Sequence, residues 1–266
     1  MTDLRVKTGR PATDGCVLSV TPESAGWTYV GFAVHKLGAG EAFEKPATEL
    51  EACLVILSGK ASVTVSGQTY PVFGERENVF SGPPAAMYIP MGHAYSVRAE
   101  TSLEIAVCTA PGGGDHEPRI IPPGSIRAEV RGQGSNTRYV QDILPESDPA
   151  HSLLVVEVIT PGGNWSSYPP HKHDSDALPE ESALEETYYH RLHPSQGFAF
   201  QRVYTDDRSI DQTIAVEDGD CVMVPEGYHP VGAPFGYDLY YLNVMAGAKR
   251  KWVFRNDPVH DWMLNK

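Results

Sequence analysis

The chain has 266 residues, 41% of them hydrophobic, which is enough to bury a core in one large or two ordinary domains. Its 21 Lys and Arg against 34 Asp and Glu give a formal net charge of −13, which disfavours nucleic acid and anionic membranes as partners. A small anionic substrate would therefore need a locally basic pocket.

Neither the cysteines nor the first residues point to secretion. The four cysteines lie in apolar runs without paired spacing, as is typical of buried thiols in a chain without disulfides; they are Cys16, Cys53, Cys108 and Cys221. Residues 1–10 are polar and mixed in charge, and no run approaches the roughly 18 apolar residues of a membrane helix. We therefore expect a cytoplasmic protein.

Short runs of β-branched and aromatic residues follow one another through the first half of the chain. They lie at residues 29–37, 52–57, 61–65, 86–89, 94–97 and 103–108. Turn sequences containing Gly, Ser and Pro separate them about every ten residues, which favours an antiparallel sandwich or barrel. No amphipathic pattern of helical length stands out, so we predict few and short helices.

A segment rich in Gly and Pro, at residues 111–118 and 122–124, has the composition of a connector. We place a domain boundary there, with a first barrel at 1–118 and a second at 119–266. The Pro-x-Gly turn that ends in His93 echoes the turn that ends in His229. Because the first half has no His-x-His pair, we predict that its barrel is metal-free.

The second half contains three imidazoles and a carboxylate in the order that is typical of a metal site. His171 and His173 are two residues apart in an extended segment and point to one face, and His229 follows a Pro-x-Gly turn. Imidazole with carboxylate suits zinc, manganese, iron or nickel rather than calcium. Such a set leaves coordination positions open, which indicates catalysis or ligand binding. The pattern predicts a metalloenzyme of the cupin type.

The carboxylate is either Glu185 or Glu186, which are neighbours on a strand-like run and point to opposite faces. With Glu186 as the ligand, Tyr188 and His190 share its inward face, whereas Glu185 would turn Tyr189 inward. We prefer Glu186, which leaves Glu185 as a candidate base.

Several motifs together resemble one enzyme family. They are HKHD at 171–174, LEETYYH at 184–190, QRVYTDDR at 201–208, GYHPV at 227–231, YYLNVMAG at 240–247 and GWTYVGF at 26–32. The chain is similar over nearly its whole length to the 5-deoxy-glucuronate isomerases of myo-inositol catabolism, relatives of the 4-deoxy-5-threo-hexosulose-uronate ketol-isomerases.

The resemblance implies an all-β bicupin of two double-stranded β-helix (jelly-roll-like) barrels. It also implies a metal-dependent aldose–ketose isomerase that converts 5-deoxy-D-glucuronate to 2-deoxy-5-keto-D-gluconate through an enediol. The metal ligands of the relatives map onto His171, His173, Glu186 and His229. Zinc or manganese is the first expectation for the ion, followed by iron or nickel.

Such a reaction needs a base and groups that hold a sugar acid. The candidate bases are Glu185, His190 and Tyr228, and a metal-assisted hydride shift is the alternative to proton transfer. Arg202 is the candidate for the substrate carboxylate, because a guanidinium matches a carboxylate bidentately. The candidate hydroxyl ligands are Tyr188, Tyr204 and Tyr241.

Two other functions use the same residues. An iron-dependent cupin dioxygenase would place iron at the same ligands, and a sugar-acid-binding cupin would bind without catalysis. Against a regulator, the sequence carries no helix-turn-helix pattern or basic face. We expect a homo-oligomer, because barrel strands commonly pair between subunits.

Overall fold

The structure, a computed structural model, describes residues 3–265 and consists mainly of short strands. In chain order these are β1 (Arg5–Val6), β2 (Cys16–Val20), β3 (Gly31–Leu37), β4 (Ala42–Lys45), β5 (Leu50–Ser58), β6 (Ala61–Val65), β7 (Gln68–Thr69), β8 (Ala86–Ile89), β9 (Tyr95–Ala99), β10 (Leu103–Pro111), β11 (Arg119–Ile121) and β12 (Arg127–Arg131). The remainder are β13 (Arg138–Leu144), β14 (Leu154–Thr160), β15 (Trp165–Ser166), β16 (His171–Lys172), β17 (Glu185–His193), β18 (Phe198–Tyr204), β19 (Asp211–Glu217), β20 (Cys221–Val224), β21 (Val231–Gly232), β22 (Asp238–Ala246) and β23 (Arg255–Asn256).

Helices are few and short, as the sequence predicts. Helix α1 spans Pro22–Ala25, and 3-10 helices span Pro123–Ser125, Gly134–Asn136 and Pro258–Asn265. Helix α1 begins with Pro at a position where its missing N–H costs nothing, and Thr21 caps it by accepting from the Ser24 amide at 3.2 Å. In the described part of the chain, no helix has the length and apolarity needed to cross a membrane.

The N-terminal unit comprises residues 8–127 and 142–155. Its sheets have the strand orders β11-β8-β5-β10-β3-β2 and β4-β9-β6-β7. Along β6 the buried positions alternate, at Ala61, Val63 and Val65, as expected for a strand with one face on the core. Both sheets contribute to that core, where Leu54 and Ile105 are fully buried. Each such aliphatic side chain contributes about 1.5–3 kcal/mol of hydrophobic stabilisation.

The C-terminal unit comprises residues 3–7, 128–141 and 156–265. It has a seven-stranded sheet of order β1-β20-β17-β22-β14-β13-β12, a four-stranded sheet of order β15-β21-β18-β19, and the β16–β23 pair. The central strands β17 and β22 run antiparallel with a register that places Tyr188 opposite Asn243. This register decides which side chains meet at the candidate site.

The all-β fold of two barrels predicted from the sequence is confirmed. The contacts interleave the two units along the chain, whereas the sequence predicts a single boundary near residue 118. The physical reason is non-local pairing: β1 pairs with β20, Arg5 lying opposite Val222, so the start of the chain completes a sheet of the C-terminal unit.

Candidate functional site

Three buried side chains of the C-terminal unit converge on one point. Nε2 of His173 lies 2.8 Å from Oε2 of Glu186, and Nε2 of His229 lies 3.1 Å from the same oxygen. The exposed fractions of these residues are 2%, 1% and 0% for His173, Glu186 and His229. They form a group whose ligand atoms all lie within 4.8 Å of one another, as in a metal site.

Backbone carbonyls orient both imidazoles. Nδ1 of His173 contacts the Leu184 carbonyl at 2.9 Å, and Nδ1 of His229 contacts the Gly227 carbonyl at 2.8 Å. Because a carbonyl can only accept, each Nδ1 carries a proton, and each Nε2 faces Glu186. Gly227 has a φ of 94°, and a Cβ there would lie 2.5 Å from the Tyr204 carbonyl oxygen. The Pro-x-Gly turn therefore needs its glycine to place His229.

The Glu186 carboxylate is held as an anion. Asn243 donates its side-chain N–H to Oε1, while Oε2 faces the two imidazoles. Burial acts to raise the pKa of Glu186, but His229 and His173 outweigh it and lower the pKa to about 2. Burial alone would lower the pKa of His173, yet the Glu186 charge raises it above the ordinary value.

His171 lies beside this triad. Its ring stands edge-on to the His229 ring, 4.9 Å between centroids, and 4.4 Å from the ring of Phe254. Burial, with the neighbouring His229 and His173, holds the pKa of His171 well below its ordinary value. The ring is therefore neutral at physiological pH, which is the form that binds metals.

These donors fit a divalent transition metal. Nε2 of His229 makes no hydrogen bond among residues 3–265, although it lies 3.1 Å from a carboxylate oxygen. A neutral imidazole turns its Nε2 lone pair toward that anion, which is unfavourable unless a cation lies between them or the ring takes up a proton. Imidazole and carboxylate donors, with Nδ1 fixed by carbonyls, are the usual surroundings of zinc and its neighbours.

Two of the predicted hydroxyl ligands, Tyr188 and Tyr241, lie next to the triad. Their ring centroids are 4.8 Å apart, and the Tyr188 ring lies 5.7 Å from the His229 ring. The Tyr188 hydroxyl contacts the Ser167 hydroxyl at 3.0 Å, and the Tyr241 hydroxyl contacts that of Ser166 at 2.6 Å. Both phenols therefore have fixed positions at the site.

His190 shares the inward face of β17 with Glu186 and Tyr188, as alternation along a strand requires. Its Nε2 contacts Oε1 of Gln201 at 2.9 Å, and its Nδ1 makes no hydrogen bond within the described chain. Because the amide oxygen accepts, Nε2 carries the proton and Nδ1 has a free lone pair. Burial lowers the pKa of His190 to about 4, so the ring is neutral at pH 7.

Arg202 does not point into this site. Its Nε and one terminal nitrogen each lie 2.8 Å from an oxygen of Asp211, in a bidentate pair at the surface. The pair joins neighbouring strands, since β18 and β19 place Tyr204 opposite Asp211. The prediction that Arg202 binds the substrate carboxylate does not agree with this geometry, because the guanidinium already has an exposed carboxylate partner.

Three other predicted residues also face away from the triad. The Tyr204 hydroxyl donates to Asp257 at 2.8 Å, and the Tyr228 hydroxyl donates to Asp206 at 2.9 Å. Tyr228 is the neighbour of His229 and is turned to the other side of the chain. Glu185 lies on the face of β17 opposite that of Glu186.

The sequence analysis assigned no role to two residues that lie at the site. Asn243 fixes Glu186, and the feature of the sequence that could have indicated this is a single amide residue inside the apolar run Leu239–Met245. Arg138 lines a cavity with Tyr188 and Tyr241. The sequence could have indicated this position, because Arg138 lies two residues before Val140 and therefore shares the apolar face of the same strand.

Two antiparallel barrels, one carrying a buried cluster of imidazoles around a carboxylate, define the class as a bicupin with a candidate metal centre. The chain belongs to the KduI/IolB family, which matches over residues 4–263.

The relatives extend over nearly the whole chain. A protein of Geobacillus kaustophilus (strain HTA426) named 5-deoxy-glucuronate isomerase is 55% identical over 265 residues, 99% of this chain and 96% of the relative. Its namesake from Bacillus subtilis (strain 168) is 51% identical over 252 residues, 94% of this chain and 93% of the relative. The family resemblance predicted from the motifs is confirmed.

Solved structures agree with the fold. The crystal structure of an IolB-like protein from Salmonella typhimurium LT2 superposes with a TM-score of 0.96 at 48% identity, covering 99% of this chain and 100% of that one. A Lactobacillus farciminis oxalate decarboxylase superposes with a TM-score of 0.68 at 13% identity, covering 100% of this chain and 91% of that one. At that identity the second likeness concerns the fold alone.

Proposed function

We propose that this protein is an aldose–ketose isomerase that converts 5-deoxy-D-glucuronate to 2-deoxy-5-keto-D-gluconate in myo-inositol catabolism. The observation that carries the proposal is full-length similarity, 55% and 51% identity, to relatives that bear the name 5-deoxy-glucuronate isomerase. The buried polar cluster in the C-terminal unit supports it, because it provides a site where a sugar acid can be polarised.

The residues that would hold a divalent ion are His171, His173, Glu186 and His229. Zinc or manganese is the first expectation, with iron and nickel next, since imidazole and carboxylate ligands suit all four. When bound, such an ion supplies Lewis-acid chemistry to the substrate's carbonyl and adjacent hydroxyl oxygens. The chain's own part is to orient the ligand atoms: the Leu184 and Gly227 carbonyls fix the rings of His173 and His229 with each Nε2 toward Glu186, and Asn243 fixes the carboxylate.

The isomerisation removes a proton from C2 and delivers one to C1, while the hydroxyl proton on O2 moves to O1. Of the three candidate bases, His190 is the one on the inward face of β17, and Nδ1 of its neutral ring can accept the C2 proton. Tyr188 and Tyr241, whose rings lie next to the triad, would hydrogen-bond sugar hydroxyls. Glu185 and Tyr228 face elsewhere and are weaker candidates for the base.

The competing functions make different demands. A cupin dioxygenase would consume oxygen, and a binding protein would leave the substrate intact. No contact at the site favours either of them, whereas the full-length relatives favour isomerisation. The cytoplasmic location and the homo-oligomeric state predicted from the sequence stay predictions.

The direct test is to incubate the purified protein with 5-deoxy-D-glucuronate and follow loss of the aldehyde and gain of the ketone by NMR, with oxygen consumption recorded in parallel. We expect conversion to the ketose without oxygen uptake. Oxygen uptake that matches substrate loss would make the protein a dioxygenase. Saturable binding without any conversion would make it a binding protein, and either result would overturn the proposed activity.

A further inference from the structure

A cavity of about 30 Å³ adjoins the candidate metal centre in the C-terminal unit. The residues that line it include Arg131, Arg138, Val140, Tyr188, Tyr241 and Asn243. The volume accommodates about two water molecules or one carboxylate group. Two lining residues reach the triad directly, since Asn243 donates to Glu186 and the Tyr188 ring neighbours that of His229.

We propose that the guanidinium of Arg138 binds the carboxylate of the substrate in this cavity, so that the aldehyde end of the sugar acid lies at the His and Glu triad. This carboxylate subsite rests on the proposed function, since it assigns the position of a sugar acid at the same centre.

The first argument is charge. Within residues 3–265 no carboxylate pairs with Arg138, whose hydrogen bond is to the Asn136 carbonyl at 3.0 Å. Several other arginines of the unit do have acidic partners, among them Arg131 with Glu129, Arg191 with Asp218, and Arg202 with Asp211. A half-buried guanidinium without a counter-ion is costly, and it is an indication of a ligand that supplies the charge.

The second argument is the composition of the cavity wall. The wall contains two arginines and no acidic side chain, in a chain whose overall net charge is −13. Because Arg131 is paired with Glu129, the charge that attracts an entering anion locally is that of Arg138, although the protein as a whole repels anions. Burial lowers the pKa of Arg138, against an opposing contribution from Tyr241, and nearby Arg131 lowers it further. A bound carboxylate would relieve this unfavourable environment.

The third argument is that the guanidinium is held in place. Arg138 begins strand β13, and Val140, two residues on, lines the same cavity. Beneath the guanidinium, Gly132 has a φ of 76°, and a Cβ there would lie 2.7 Å from a terminal nitrogen of Arg138. The bond to the Asn136 carbonyl fixes the same nitrogen. A guanidinium positioned in this way can present its remaining N–H groups to a carboxylate as a pair.

The test compares two substrates in matched variants. The acid is 5-deoxy-D-glucuronate, and the neutral analogue is 5-deoxy-D-glucose, in which a hydroxymethyl group replaces the carboxylate. The readout is the ratio of kcat/KM for the acid to that for the analogue. Misfolding lowers both rates and leaves the ratio unchanged, so the ratio reports carboxylate recognition.

We expect Arg138→Gln to lower this ratio by about 100-fold, the usual effect of losing a charge-assisted bidentate contact. Arg138→Lys should retain part of the preference for the acid, since lysine keeps the positive charge but cannot make the bidentate contact. Arg98→Gln, an exposed arginine in the N-terminal unit, is the control, and its ratio should equal that of the wild type. Arg202→Gln tests the residue that the sequence favoured and should also leave the ratio unchanged.

An unchanged ratio in Arg138→Gln, or a collapse of the ratio in Arg202→Gln instead, would overturn the subsite. If the wild type does not convert 5-deoxy-D-glucuronate, the proposed function fails, and calorimetric titration with D-glucuronate and D-glucose then decides about the subsite. Binding of D-glucuronate that Arg138→Gln abolishes would support the subsite without the function. Equal binding of the two sugars by the wild type would refute it.

Discussion

Replacement of Glu51 by Gln is expected to destabilise the attachment of residues 151–153 to strand β5 within the N-terminal unit. Glu51 is fully buried on β5, and its carboxylate accepts four hydrogen bonds. Oε1 accepts from the Ser152 and Leu153 amides, each at 2.6 Å. Oε2 accepts from the Tyr88 hydroxyl at 2.6 Å and from the His151 amide at 2.8 Å.

The expected loss of stability follows from what happens to the four hydrogen bonds of Glu51 in the substitution. The side-chain amide introduced by Glu51→Gln would keep one oxygen for the Ser152 and Leu153 amides, but those bonds would lose their charge-assisted character, at roughly 1 kcal/mol each. Its NH2 group would face the His151 amide, leaving that donor without an acceptor, which costs at least about 1 kcal/mol more. The Tyr88 hydroxyl can turn and accept instead. The sum is about 3 kcal/mol.

Native-state hydrogen exchange measures this loss of stability at the affected backbone amides. In Glu51→Gln the amides of residues 151–153 should exchange about 100-fold faster than in the wild type, and the urea midpoint should fall. Glu49→Gln, an exposed neighbour two residues before Glu51, is the matched control and should change neither quantity. Equal exchange rates at 151–153 in the two variants would refute the idea that the Glu51 carboxylate holds this segment.

Three further predictions concern the candidate metal centre and the N-terminal core. Glu186→Gln should reduce the bound metal, measured by elemental analysis, from one ion per chain to nearly none, whereas the exposed control Glu44→Gln should retain it. Asn243→Ala should weaken metal affinity about 10–100-fold in a competition titration, and unchanged affinity would remove its assigned role. His35→Leu should flatten the pH dependence of unfolding below pH 6.5, as measured by urea denaturation at a series of pH values.

The sign of the His35 effect follows from its surroundings. Burial, together with nearby Lys45, lowers the pKa of His35 to about 4, although Asp14 acts in the opposite direction. Between pH 6.5 and 4 the unfolded chain binds a proton that the folded chain does not, so stability falls as the pH falls through this window. We expect a loss on the order of 2 kcal/mol in the wild type. An equal loss in His35→Leu would contradict this origin.

Local patterns in the sequence predict much of the fold. Alternating apolar residues bounded by Gly and Ser turns predict strands such as β6, because one-sided burial imposes a period of two. A short apolar run predicts β10, whose positions are nearly all buried. The same period predicts that Glu186, Tyr188 and His190 share a face of β17. The His-x-His pair and the Pro-x-Gly turn before His229 are also local, so they could be recognised without a structure.

What the sequence could not predict depends on pairing between distant segments. Arg202 lies on a surface hairpin, and its partner Asp211 is chosen by the β18–β19 register. Arg138 enters the site because β13 joins the sheet of β17 and β22, which lie far along the chain from it. The interleaving of the two units arises in the same way, from the pairing of β1 with β20. None of these pairings is encoded by a neighbouring motif.

The central claim is that the His and Glu cluster holds one ion that isomerisation requires. Its most direct test is to strip the protein with a chelator, add back zinc, manganese, iron or nickel in fractions of an equivalent, and measure bound metal and turnover of 5-deoxy-D-glucuronate in the same samples. We predict that for at least one ion turnover rises in proportion to bound metal and levels off at one ion per chain. Full turnover by the stripped protein would contradict the account.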